Sequence, residues 1–456
     1  MSIGNIRRAL ACDAPLFRSA KAGFAFATAS GCLFAAPAMA QTYVPGVYES
    51  GPDNTSPDLS LDQRLQQRQL PVGAPIGPFL VYPSLQWDES FNDNIFATPR
   101  GGLADAITTL TGSTSANYAK GSNALGVQGW VLGNIYAAHP TENAWQGSLQ
   151  STFSSTVHDD LQLTALGQVQ RLVDPRTDPS GLQGLTPTTY EIYSGNGGMV
   201  IGHAENNLVN LSIGANKISY DPLQGSLGPI ITSDRDNTEI YGDTSFRHTF
   251  SPRRSVYVKV RPNTRNYDQK FDQAGFQRSS NGVRADTGVD WDFDSVFLVN
   301  LETGIQHQAY DDPRFGTVNE PDGKFTISWW PTRLTNVAVN GVHEYYEAFF
   351  TPSPGAVRNK LTGTIEHELR RRWIASASFS YERDDLRDEP IHYSTEIAQI
   401  TLKYLFADGF SAGVNYLFAN QSSSGTGTSS TVSTAATTGA TSYQQNIITF
   451  TVKKVF

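Results

Sequence analysis

From Phe79 to the end of the chain the residues alternate between apolar and polar with a period of two, and this constrains the fold more than any other feature. Phe79, Val81, Pro83, Leu85, Trp87 and Phe91 fall on one face, and Tyr82, Ser84, Gln86, Asp88 and Ser90 on the other. Successive strand residues point to opposite sides, so such a segment is a strand with one apolar and one polar face. Val256, Val258 and Val260 oppose Tyr257, Lys259 and Arg261 in the same way. Val357, Leu361 and Ile365 oppose Arg358, Lys360 and Glu366, and Ile448, Phe450, Val452 and Phe456 oppose Thr449, Thr451 and Lys453.

A soluble sandwich also alternates, so the links have to discriminate. Short links fall near 119–121, 158–160, 203–206, 251–254, 292–294, 331–333, 370–372 and 407–409. Long ones fall between them, near 92–105, 174–187, 221–235, 269–279, 310–323, 351–356, 384–391 and 421–441; one further link on that side, 139–143, is short. Long links on one side and short on the other are the mark of an outer-membrane barrel, and the segments run about 11–15 residues where a tilted strand needs about 9–11. An open sheet edge is excluded in hydrocarbon, because each unpaired backbone group costs several kcal/mol. The expected fold is all-β: a closed antiparallel transmembrane β-barrel of about 18 strands, with 16 as the alternative count. It has short periplasmic turns, long external loops and both termini in the periplasm.

The segment ahead of the alternation divides in two. Arg7, Arg8, Arg18 and Lys21 precede a short apolar stretch, 22–36, too brief to span a bilayer as a helix, and Ala38-Met39-Ala40 fits a signal-peptidase site. Residues 1–40 are therefore expected to be a signal peptide cleaved between Ala40 and Gln41. A lipoprotein signal at Cys32 is the weaker reading, since Ala29 stands at its usual Leu position. Residues 41–76, with five prolines, form an expected Pro-rich periplasmic leader, and 77–456 the barrel. Both cysteines, Cys12 and Cys32, lie in the signal, so the mature chain has no disulfide or thiolate metal site. The mature chain keeps 30 of the 34 Lys and Arg and 42 of the 43 Asp and Glu, a net charge of −12 that argues against nucleic acid as a partner. A leader this short also excludes the plug domain of a gated importer.

Trp87, Trp145, Trp291, Trp329 and Trp373 fall at or near strand ends on the apolar face, as an interfacial girdle requires. The chain ends in ITFTVKKVF, and barrels of this class commonly finish on an aromatic read by the barrel-assembly machinery, here Phe456. Membrane lipid and that machinery are the expected partners.

Several stretches resemble a known family: FLVYPSLQWDESFNDNIFATP, SDRDNTEIYGDTSFRHTFSPRRSVYVKVRPNTRNYD, QAYDDPRFG followed by SWWPTRLTNVAV, and IEHELRRRWIASASFSYERDD. They are similar to the putative β-barrel porin 2 family of outer-membrane proteins over nearly all of Phe79 to Phe456. The resemblance implies a porin-like channel in the outer membrane of a Gram-negative bacterium. Several such barrels are tied to surface-polysaccharide export, which implies a second reading, a conduit working with a periplasmic export protein. A third is a plugged structural or adhesive barrel.

Strand parity turns Arg247, Lys259, Arg261, Arg265, Arg284, Lys324, Arg358, Lys360 and Lys403 inward. It does the same for Asp243, Asp286, Asp290, Asp292, Glu302, Glu366, Glu368 and Glu382. Opposed arcs of bases and acids across a constriction would set ion selectivity; the plainer alternative is an ion-pair network stiffening the wall. Inward Tyr257, Tyr267 and Trp330 would offer sugars a stacking track. No enzyme is expected. The eight His form no H-E-x-x-H, no G-x-S-x-G is present, and His367 points away from Glu366 and Glu368. Asp311-Asp312 and Asp384-Asp385 read as loop acids before calcium ligands, and no cofactor or metal is expected.

Overall fold

The computed structural model describes Leu61, Leu65 and residues 73–226, 228–347, 353–424, 437–438 and 442–456. The signal residues Ala38, Ala40 and Gln41 and most of the leader lie outside these.

Eighteen long strands make the wall. They are β1 (Phe79–Asn92), β2 (Asp105–Lys120), β3 (Asn123–Tyr136), β4 (Ala144–His158), β5 (Leu161–Val173) and β6 (Thr189–Gly202). Then follow β7 (Asn207–Tyr220), β8 (Asn237–Ser251), β9 (Arg254–Tyr267), β10 (Ser280–Phe293), β11 (Phe297–Tyr310) and β12 (Thr317–Thr332). The last six are β13 (Thr335–Glu347), β14 (Gly355–Arg370), β15 (Trp373–Leu386), β16 (His392–Leu405), β17 (Phe410–Ser424) and β18 (Tyr443–Val455). Each pairs antiparallel with the next, and β18 pairs with β1 from Val455↔Ser84 to Ile447↔Asn92, which closes the barrel. The count is therefore eighteen, not sixteen. No helix among the described residues is long and apolar enough to cross a membrane; here the strands do so.

The alternation is realised as two surfaces. Leu85, Trp87, Leu110, Val131, Leu149, Phe246, Leu361 and Phe450 are exposed on the outside, while Asp88, Thr109, Tyr257, Asp286 and Glu382 are buried within. All five tryptophans expected in the girdle stand exposed. At the short-turn end Trp291 stacks on Phe293 at 4.7 Å, and Trp373, Tyr404, Phe406 and Phe410 make a chain of ring contacts. The short turns carry suitable residues: Asp408 and Gly409 both take positive φ, 57° and 72°, as a tight Asp-Gly hairpin requires. Phe456 donates its backbone N–H to Pro83 O at 2.9 Å, at that same end.

Two of the long loops turn inward. In loop 93–104 Ala97 packs on Ile397, Leu417, Ala419, Tyr443 and Ile447, inner-face residues of β16 to β18. Asn94 fixes that loop by donating to Thr98 O and Gln444 O. In loop 174–188 Thr177 is fully buried, and Arg176 donates two hydrogen bonds to the Glu142 carboxylate, at 2.9 and 2.7 Å. Arg235 of the next long loop donates to Ser180 O at 3.0 Å, so neighbouring loops brace one another across the mouth.

Candidate functional site in the barrel lumen

Most of the charged inner residues gather on one arc of the wall, from β8 to β15; Asp88, Lys403 and Lys453 lie outside it. Arg247 pairs with Asp290, which also accepts from Ser255 and Asn300. Lys259 meets Glu302 at 2.5 Å, and the Tyr257 hydroxyl donates to the same carboxylate at 3.1 Å. Arg284 holds Asp286 at 3.0 Å, Glu302 at 3.7 Å and Asp322. Arg261 lies 3.5 Å from Asp243, and Arg265 bridges Glu239 and Glu347. Further round, Lys324 faces Glu344 at 3.8 Å, Arg358 meets Glu382 at 3.1 Å and Asp384 at 3.0 Å, and Lys360 meets Glu382 at 2.9 Å.

Most of these pairs lie within one strand or join neighbouring or next-neighbouring strands; Arg265 to Glu347 reaches further, from β9 to β13, still within the arc. The bases and acids do not oppose one another across the pore; they alternate within one arc and cancel locally. The contacts fit the plainer reading, an ion-pair network along the wall, rather than facing arcs. This has a physical reason, since strands about 4.8 Å apart place unlike side chains in contact while the far wall is out of reach. Asp286, Glu302 and Asp322 each bring an oxygen within 4.8 Å of the others, and Arg284 with Lys259 supplies the countercharge there.

The inward aromatics fare differently from the expectation. Tyr257, Tyr267 and Trp330 do point inward, but they are only 3%, 8% and 6% exposed. Tyr257 is sandwiched by Arg247 at 5.0 Å and Lys259 at 4.5 Å, and Tyr241 lies under Arg261 at 3.8 Å. Cation–π contact covers Tyr257 and Tyr241, and the burial of Tyr267 and Trp330 leaves little ring surface for a sugar.

Residues near the ends serve the frame. Asp292 accepts from the Ser295 backbone and Glu368 from the Arg372 backbone at 3.0 Å, so both cap short turns. Glu366 faces the lumen and accepts from the backbone N–H of Leu61, a leader residue only 2% exposed. Lys403 occupies an inner position beside Ile374 and Gly413. His367 bonds Thr335 Oγ1 at 2.9 Å instead of joining its two glutamate neighbours. Asp312 is held by Arg314, and Asp384 by Arg358 and the Tyr346 hydroxyl.

The inner face of β3 to β7 was missed from sequence because no Asp, Glu, Lys or Arg falls on it. Its inner positions include Gln128, Gln146, Gln150, Gln168 and Gln170 with asparagine, serine and threonine and half-buried Trp130, and toward the long-loop end apolar Leu132, Tyr190, Ile192 and Ile218. The signal was present in the spacing of the glutamines along alternating strands.

A family model described as putative beta-barrel porin 2 matches residues 70–441. No curated protein matches the chain. Among solved structures it is similar to the outer membrane protein OpdK from Pseudomonas aeruginosa, at 8% identity and a TM-score of 0.45, over 82% of this chain and 99% of that one. It is also similar to OccAB4 from Acinetobacter baumannii, at 10% identity and a TM-score of 0.45, over 82% of this chain and 98% of that one.

Proposed function

The chain belongs to the putative beta-barrel porin 2 family, and from that premise we propose that it is a passive channel for small hydrophilic solutes. Membership puts the barrel in a Gram-negative outer membrane, with lipid against its exposed apolar face. The observation that carries the channel reading is the contrast between the two surfaces of one wall. Outside, large apolar side chains are exposed; inside, an arc of amides and hydroxyls stands only half-buried. An eighteen-stranded barrel is wide enough to leave an aqueous path, and a wall serving stability alone has no use for open amides. In this reading Arg247, Lys259, Arg261, Arg265, Arg284, Asp286, Asp290, Glu302, Arg358, Lys360, Glu366 and Glu368 line or frame the pore. Both termini are read as periplasmic, and Phe456, at the short-turn end, as the assembly signal.

Insertion of the full mature chain into planar bilayers tests this. The expected result is stepwise, voltage-tolerant conductance, together with liposome swelling in small neutral solutes. Protein that shows heat-dependent gel mobility, and so is folded, yet carries no current would overturn the open channel in favour of a plugged barrel.

A further inference from the structure

On the five strands β3 to β7 the only Asp, Glu, Lys or Arg are Arg171, Glu191 and Lys217. All three fall on the outer face: Arg171 is opposite Gly147 and Glu191, and Lys217 is opposite outward Tyr193. The inner wall here is uncharged. Its register sets Ser115, Gln128, Gln150, Gln168, Ser194 and Asn216 side by side on six successive strands. At about 4.8 Å per strand the row covers about 24 Å of wall. Barrel strands tilt by about 35–45°, so a row perpendicular to them winds down the pore instead of ringing it.

The row is open to a guest. Among the described residues the amides of Gln128 and Gln150 in the row, and of Gln170 beside it, take no hydrogen bond; Gln168 makes one, to Ser148 at 3.3 Å, and Asn216 at the row's end donates to Glu239 at 3.2 Å. Trp130 stands half-buried in the adjoining row, between Ser113 and Ser148. A primary amide offers two donors and an acceptor on one rigid plane, which suits hydroxyl groups that also both give and accept. An indole face suits the C–H side of a pyranose ring. A carboxylate or ammonium finds no countercharge on this wall, and on the opposite arc the cations and anions already pair with one another.

Resting on the channel reading, we infer that the Ser115–Asn216 row and Trp130 form a track for neutral, polyhydroxylated solutes of the saccharide class. The test is current blockade of the bilayer-inserted protein by maltotriose, against trigalacturonate as a charged probe of similar size. Maltotriose should block in a concentration-dependent way and trigalacturonate should not. Q128L/Q150L and W130A should each weaken the apparent affinity about tenfold, while Q150N keeps most of it. Heat-dependent mobility confirms that each variant is folded, and W130F and Q150S serve in place of any that is not. A conducting protein blocked equally by both probes, by neither, or undiminished in the variants overturns the saccharide track and leaves the channel standing. A folded wild-type protein without current overturns the channel, and the track with it.

Discussion

Single residues of the charged arc act through their nearest countercharges, and Arg284 shows this most directly. It is shared by Asp286, Glu302 and Asp322, with Lys259 the other cation at the cluster. R284Q leaves three converging carboxylates against one lysine. The reversal potential in a salt gradient should move toward cation selectivity, severalfold in permeability ratio, and the shift should shrink as salt rises because screening shortens to about 3 Å at 1 M. An unchanged reversal potential at low salt would show that these carboxylates do not face the ion path. Asp312, 2% exposed in loop 311–316, behaves as a clamp. Its hydrogen bonds from the Arg314 guanidinium, with help from the Gln277 backbone, hold its carboxyl well below the usual range. A lowered carboxyl stabilises the fold above its ordinary pKa of about 3.9, and that contribution is lost as pH falls toward the lower folded value. D312N should cost about 1–3 kcal/mol locally, seen at neutral pH as faster proteolytic nicking of loops 268–279 and 311–316. Parity on the printed sequence already placed Arg284 and Asp286 on one face. It could not show that Glu302 and Asp322 join them, because partners across strands depend on register, which the turns and the barrel shear fix together.

At the scale of elements, the strands were readable and the loops were not. Strand identity follows from local alternation, which a single segment displays. The inward course of loop 174–188 depends instead on contacts far along the chain: Arg176 to Glu142, and Ser180 to Arg235. In this loop burial raises the carboxyls of Asp174 and Asp178; the charge of Asp178 adds to the first, while Arg235 opposes both shifts. A raised carboxyl binds its proton more tightly docked than free. The docked loop is therefore favoured at low pH and loses that advantage as pH rises through the raised values. Mean conductance should accordingly increase from acid to neutral pH, and D174N/D178N should hold the acid-like level throughout. A variant that keeps the wild-type pH profile would place the titration elsewhere. Deleting 178–184 should raise conductance at every pH; a deletion that leaves it unchanged would show that the loop does not narrow the path.

For the whole molecule the decisive join is the one between its first and last strands. Every barrel must close, since an unpaired edge in hydrocarbon is too costly to keep. Here β18 reaches only Ser84, and Phe456 adds one bond, to Pro83 O. The first residues of β1 would remain an open edge on that side. The short strand Ala74–Ile76 fills it, pairing Ala74↔Val81, Pro75↔Leu80 and Ile76↔Phe79 after a turn at Gly77, whose φ of 58° suits glycine. The end of the leader thus continues the seam where the last strand stops. Removing residues 73–77 should leave the pore conducting but weaken its closure, so the temperature at which the folded band converts on gels should fall by several degrees. G77V should have a smaller effect of the same sign, because a β-branched residue resists positive φ. An unaltered conversion temperature in the deletion would mean that β18 and Phe456 alone suffice to close the barrel, and that the leader strand only rests against it.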